Sequence, residues 1–254
     1  MRMPRASKSF VAIRGKAALP LYSQLEYGAR MDNNLSIAEK RKATLEAIEK
    51  AAKRAGRSDV PKLIAVSKVQ PEARVKEMLA AEQRIFGENR VQEAQKRWGE
   101  VFGEVRGGLE LRLIGPLQSN KAQAACALFD VIETIDREKL LKAVLAGAEK
   151  TGRLPRLLVQ VNTGEEPQKA GLTPAALARF LKRIKDEYDV VPEGLMCIPP
   201  QGQAASPHFW LLKKLAERHG LTELSMGMSG DFETAIEMGA THVRVGSALF
   251  GARA

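Results

Sequence analysis

The chain has 254 residues, enough for one large α/β domain or two ordinary ones, and its 44% hydrophobic and 28% charged content is the balance of a globular protein. No apolar run approaches the roughly 18 residues a membrane helix needs, so no membrane association is expected. The net charge of +10 invites a nucleic-acid reading, but half of it falls within residues 1–30, and with 5% aromatics and no recognisable motif no nucleic-acid binding is expected.

In that opening stretch Arg2, Arg5, Lys8, Arg14, Lys16 and Arg30 face only Glu26. Residues 1–30 have no capping signal and little periodicity. They read as a disordered, dispensable basic tail, with an Arg-rich targeting segment as the competing reading. Residues 31–254 are expected to form one domain. Ser36-Ile37-Ala38-Glu39 is a capping box that opens a helix from Ile37 to Ala55; Leu45, Ile48 and Ala52 form its apolar stripe and Gly56 ends it.

From Pro61 onward, short apolar runs alternate with amphipathic stretches. Strands are predicted over 62–67, 84–87, 111–115, 131–134, 157–161, 194–198, 224–228 and 243–246. Between them, Pro71 takes a first-turn position, and Thr173-Pro174 and Ser206-Pro207 read as N-cap plus first helical residue. Leu177, Phe180, Leu181 and Ile184 repeat at helical spacing. Eight β/α units in about 190 residues predict a closed (β/α)8 TIM barrel rather than an open doubly wound sheet. The last unit is short, so the extra N-terminal helix is expected to cover that part of the wall.

Cys126 and Cys197 lie inside apolar segments without metal-ligand or CxxC spacing, which reads as two small core residues of a reducing, cytoplasmic compartment. His208, His219 and His242 lack the spacing of a metal site. The first two read as surface positions on a helix and the third as a structural residue entering a strand; no metal is expected.

A barrel of this kind works at the C-terminal ends of its strands. Those ends carry Lys68, Glu88 and Asn89, residues 115–121, Asn162 and Thr163, residues 225–229, and residues 244–247. Lys68 closes the apolar run Leu63-Ile64-Ala65-Val66-Ser67. Partial desolvation there favours a neutral, nucleophilic amine, so Schiff-base chemistry is the functional reading and a solvated strand end the bland one. Ser225-Met226-Gly227-Met228-Ser229-Gly230-Asp231 and Arg244-Val245-Gly246-Ser247 combine hydroxyls, small residues and a helix start, as a phosphate requires, although ordinary capping has the same composition. Closure places strand eight about 4.8 Å from strand one. One small aldehyde phosphate, tethered by Lys68 and cradled by strands seven and eight, is therefore the expected ligand.

The segments Lys62–Lys68, Phe86–Glu93, Ile114–Lys121, Leu224–Ser229 and Arg244–Gly251 resemble the motifs of the pyridoxal phosphate homeostasis protein family, whose barrels are similar to the N-terminal domain of alanine racemase. The resemblance implies pyridoxal 5′-phosphate (PLP) as cofactor, bound through Lys68. It further implies Ser225, Met226, Ser229, Arg244, Gly246 and Ser247 as contacts, with Asn89 and Asn162 near the ring. Members often carry histidine where this chain has Arg112 and Pro116, so no role of those histidines is carried over.

Amino-acid chemistry on PLP needs a group that moves a proton at Cα and a ring that draws electrons. Alanine racemase takes a tyrosine for this from a separate C-terminal domain, whereas this chain is expected to stop at the barrel. Its own tyrosines are Tyr22 and Tyr27 in the tail and Tyr188 at a helix end. Arg244 would leave the ring a weak electron sink if it faced the pyridine nitrogen, and would clamp the phosphate if turned the other way; both placements stay open. No catalytic residue is assigned. The expected function is a PLP-binding protein that holds the cofactor as a Schiff base and takes part in intracellular PLP homeostasis and delivery, with PLP-dependent apo-enzymes as partners. The alternative is a weak PLP-dependent amino-acid racemase or decarboxylase, and an aldolase using Lys68 without cofactor comes third. Lys121 and Lys169 read as solvated loop charge, and no long apolar stripe demands a dimer, so a monomer is expected.

Overall fold

Each apolar run pairs in parallel with the next one in sequence, and the last returns to the first, so the sheet has no edge. In the computed structural model, which describes residues 35–251, the eight strands are β1 (Lys62–Val66), β2 (Ile85–Glu88), β3 (Glu110–Leu113), β4 (Val131–Ile135), β5 (Arg156–Gln160), β6 (Gly194–Met196), β7 (Glu223–Ser225) and β8 (His242–Val245). The expected tail over residues 1–30 lies outside the described residues. Closure is explicit in the register, where Lys62 pairs with His242 and Ala65 with Val245.

Helix α1 (Ile37–Arg54) opens on the predicted capping box: Ser36 Oγ accepts from Glu39 N at 3.2 Å, and Ser36 N donates to Glu39 Oε2 at 2.8 Å. The eight strands are followed in turn by α2 (Glu72–Ala80), α3 (Val91–Ala94), α4 (Ala122–Leu128), α5 (Glu138–Thr151), α6 (Pro174–Tyr188), α7 (Ser206–His219), α8 (Phe232–Glu237) and α9 (Ser247–Phe250). Because α9 has only 4 residues, α1 packs against α2, α8 and α9 and covers the wall over β8 and β1. Arg57 fastens that contact by donating to Ile236 O at 3.0 Å and Ala240 O at 2.7 Å.

Boundaries differ from expectation at identifiable places. Pro71 is the N-cap of α2 rather than a first-turn residue, and α7 begins at Ser206 with Ala205 as its N-cap. The predicted seventh strand ends early because Gly227, at φ +89°, turns the chain out of the sheet. A π-helix at Gln95–Val101 follows α3 and carries no periodicity that a 3.6-residue reading detects.

Alternation along the strands divides the interior into two cores. Outward-facing residues such as Leu111, Leu113, Ile132, Val159 and Val243 pack with the helices in one large cluster. Inside the barrel, Val131, Leu158 and Met196 form a small apolar cluster of their own with Ile198. The lumen also holds the buried polar side chains of Arg112, Glu133, Ser225, His242 and Arg244.

Candidate functional site

Lys68 follows β1 in a turn at residues 68–69. Ser67 turns outward, where its Oγ donates to Glu88 Oε1 at 2.8 Å, and the neighbouring Val66 and Lys68 face a cavity of about 280 Å³ at the C-terminal ends of the strands. Lys68 itself is half-buried. Six of the nine predicted contacts line this cavity: Lys68, Asn89, Ser229, Arg244, Gly246 and Ser247. Ile114, Ile198 and Met228 supply apolar wall.

Three predicted contacts lie elsewhere. Ser225 is fully buried one layer below, and Met226 is buried with its backbone N donating to His242 O at 3.2 Å. The side chain of Asn162 turns into its own loop, where Nδ2 donates to Glu166 O at 2.8 Å and Oδ1 accepts from Glu166 N at 3.3 Å. The loop after β5 needs those backbone groups satisfied, and this draws the amide away from the cavity.

Gly115 shows why the ends of β2 and β3 come so close. A Cβ there would fall 2.3 Å from Asn89 O, so only glycine lets the two loops meet. At the other rim, Gly246 N donates to Ser229 Oγ at 3.3 Å and joins the loops after β7 and β8. Asp231 Oδ1 accepts from Met228 N at 2.6 Å; burial raises this carboxyl above its ordinary range despite that bond and nearby Arg244.

Arg244 forms part of the cavity and is itself held from below. Its Nη1 donates to Ser225 Oγ at 2.8 Å, and its Nη2 to Cys197 O at 2.7 Å. Ser225 in turn donates to Glu133 Oε2 at 2.6 Å, and Glu133 Oε1 accepts from Arg112 Nη1 at 2.7 Å. Arg112 also donates to Glu223 Oε1 and Glu110 Oε1, both at 2.5 Å. Burial opposes charge on Arg112, yet Glu133, Glu223 and Glu110 hold its guanidinium above the ordinary value. Burial pushes the Glu223 carboxyl up, and Glu133 adds to that shift.

His242 closes this floor. Arg112 Nη2 is a donor only, so His242 Nε2, 3.0 Å away, must accept, and the ring is neutral with its hydrogen on Nδ1. Burial, followed by Arg112, Lys62 and Arg156, pushes the imidazole down to about 2, in line with that tautomer. His242 is thus structural. His208, by contrast, is not a plain surface residue: it is half-buried, with Nδ1 3.2 Å from Thr163 O.

Neither cysteine is poised to react. Burial pushes the Cys197 thiol up to about 12 and that of Cys126 up to about 11. Among the described residues, no group of three or more histidine, cysteine or acidic side chains is arranged to hold a metal ion, and no helix is long and apolar enough to cross a membrane. Tyr188, the tyrosine among the described residues, donates to Glu138 Oε1 at 2.8 Å at the end of α6.

Comparison with known proteins places these features. The family described as alanine racemase, N-terminal domain, matches residues 40–254. The pyridoxal phosphate homeostasis protein of Aquifex aeolicus is 36% identical over 229 residues, covering 86% of this chain and 99% of that protein. Its Escherichia coli counterpart is 37% identical over 219 residues, with coverage of 81% and 92%. The structure of PipY from Synechococcus elongatus with PLP bound is 38% identical, with a TM-score of 0.73 and coverage of 85% of this chain and 100% of that one. Alanine racemase from Bartonella henselae, 13% identical with a TM-score of 0.64 and coverage of 85% and 58%, shares the fold.

Proposed function

The chain belongs to the alanine racemase N-terminal domain family and, within it, to the pyridoxal phosphate homeostasis proteins, and from that premise we propose that it binds PLP in the Lys68 cavity and serves in intracellular PLP homeostasis and delivery. The observation that carries this reading is the meeting of Lys68 and Arg244 with Ser229 and Ser247 on one cavity of about 280 Å³. An amine suits an aldehyde, hydroxyls and exposed backbone suit a phosphate, and apolar walls suit a flat ring. The residues present fit the group.

Bound there, the cofactor supplies a reactive aldehyde and an electron-accepting ring. Lys68 would hold that aldehyde through its amine. Ser229, Ser247 and the backbone around Gly230 and Gly246 would bind the phosphate, and Asn89 would orient the ring. Val66, Ile114, Ile198 and Met228, the apolar part of the cavity wall, would exclude water from the ring. Arg244 lies deeper, tied to Ser225 and the Cys197 carbonyl, which supports a position toward the ring rather than at the phosphate rim. A guanidinium has hydrogens to donate and no lone pair to accept one, so opposite the pyridine nitrogen it would orient the ring without drawing electrons strongly. That arrangement favours holding the cofactor over turning it over. Ser225 acts through Arg244, and Met226 and Asn162 through the backbone of their loops. PLP-dependent apo-enzymes are the partners this function requires, a monomer is the form, and the cytoplasm the location.

Titrating the purified protein with PLP tests the reading. An imine absorption band that borohydride traps on Lys68, and that Lys68→Ala abolishes, is the expected result; a protein that gains no band overturns it. Stoichiometric transfer to an apo-enzyme separates carrier from catalyst, and sustained exchange of an amino acid's Cα proton would instead favour the racemase or decarboxylase alternative.

A further inference from the structure

Lys68 is carried on a strained turn. Gln70 N donates to Ser67 O at 3.1 Å, closing a four-residue turn with Lys68 and Val69 at its centre. Val69 has φ +61°, and it occupies the third position, where a type II turn calls for glycine or asparagine. A β-branched residue is a marked outlier in this region, because its Cβ crowds the following carbonyl. Val69 gains nothing by burial in return, being 70% exposed.

What holds the turn is a buried ion pair on the outer side of the strand. Arg97 spans the turn: Nη1 donates to Ser67 O at 2.8 Å and Nη2 to Gln70 O at 2.7 Å. The same Nη1 donates to Glu88 Oε1 at 2.7 Å. Glu88 Oε1 also accepts from Ser67 Oγ at 2.8 Å and from Trp98 Nε1 at 3.1 Å. The Glu88 side chain is 0% exposed and that of Arg97 12%. These bonds restrain both ends of the four-residue segment that presents Lys68.

The π-helix explains how two consecutive residues reach one carboxylate oxygen. Its hydrogen bonds span five residues, as in Phe102 N to Arg97 O at 2.8 Å, so it turns less per residue and successive side chains diverge less. Trp98 is fully buried, with its ring 4.8 Å from that of Phe86 on β2, which fixes the π-helix against the strand carrying Glu88.

The geometry points to Glu88 and Arg97 as positioning residues that hold the Val69 turn in its strained form and thereby aim the Lys68 amine into the cavity; the inference rests on the PLP reading above. Neither residue touches the cavity. When the clamp is weakened, Val69 relaxes to negative φ, the Lys68–Val69 peptide rotates and the amine swings toward solvent. The reaction it then slows is addition of the Lys68 nitrogen lone pair to the PLP aldehyde carbon, a C=N bond replacing C=O as the oxygen leaves as water.

Arg97→Lys is the informative variant, since lysine keeps the charge opposite Glu88 but has no planar fork to bridge two carbonyls. With PLP added, it is expected to form the lysine-linked band about 10- to 100-fold more slowly than the parent, as a displaced reacting group does. Adding Val69→Asn, whose side chain tolerates positive φ, should recover most of that rate by removing the strain. Val69→Asn alone should raise the melting temperature. In the absence of any cofactor, reductive methylation of Lys68, read by peptide mapping, should be faster in Arg97→Lys. A parent protein that forms no band overturns the PLP reading, and the methylation and melting arms then decide the clamp by themselves. A normal band in the parent with unchanged band and methylation rates in Arg97→Lys overturns the clamp. So does a lower melting temperature for Val69→Asn, or a folded double variant that recovers nothing.

Discussion

Arg244 donates to Ser225 Oγ at 2.8 Å, and Ser225 passes its own hydrogen to Glu133 Oε2 at 2.6 Å, so a cavity guanidinium is tied through one hydroxyl to the ionic floor of the barrel. The Ser225 side chain therefore serves the cavity without entering it. Ser225→Ala leaves Glu133 Oε2 buried without this donor, at an expected cost of about 1–3 kcal/mol in urea unfolding. Weaker PLP binding should accompany it as Arg244 loses its stop; unchanged affinity would show that Arg244 is held by Cys197 O alone.

Arg112 compensates Glu133 and Glu223 in the lumen, where the Glu133 side chain is fully buried and that of Glu223 is 10% exposed. Arg112→Met should cost about 3–5 kcal/mol, because it removes one partner of a buried ionic cluster and strands the others. Adding Glu133→Leu should make the loss smaller than the two single losses combined. Denaturant unfolding of the three variants measures the coupling.

His242 sets a pH dependence whose direction is definite. Burial, with Arg112, Lys62 and Arg156, keeps its imidazole down to about 2, whereas in the unfolded chain it takes up a proton near its ordinary value. Below about pH 6.5 the unfolded state binds the extra proton, so stability falls as pH drops, at no more than about 1.4 kcal/mol per unit. Glu223 works against this slope, since burial raises its carboxyl and the folded state keeps that proton longer. Unfolding of the parent and of His242→Asn between about pH 7 and 5.5 should show the flatter profile in the variant. Equal slopes would rule out His242 as the source.

Gly115→Ala places a Cβ 2.3 Å from Asn89 O, against backbone that cannot step aside. A loss of about 1–3 kcal/mol is expected from the forced shift. Because Asn89 lines the cavity, PLP affinity should fall with stability. Normal affinity in a destabilised variant would separate Asn89 from binding.

Much of this molecule is written locally. The capping box at Ser36, eight apolar runs and Pro174 at the start of α6 each state their own conformation, because short-range sterics and hydrogen bonding determine caps, strands and turns. The candidate rim is legible for the same reason: once eight parallel strands are counted, their ends must share one face, so Lys68, Asn89, Ser229, Arg244, Gly246 and Ser247 converge on one cavity. Ile114 and Ile198 were legible only in part, since choosing the inward face of a strand that is buried on both sides requires the register.

Local pattern did not reach Asn162, whose amide serves its own loop, or the chain from Arg112 through Glu133 and Ser225 to Arg244. Glu133 and Ser225 stand 92 positions apart, and no spacing rule connects groups that meet only across a closed lumen. Arg97 is hidden likewise: a π turn and a left-handed valine violate the periodicities and propensities by which sequence is read. The sequence by itself determined the eight-unit barrel and the end of it on which Lys68 stands, because each follows from nearest-neighbour physics. Only the tertiary structure decided what holds Lys68 and Arg244 in place, because buried charges find their partners across strands that the chain visits far apart.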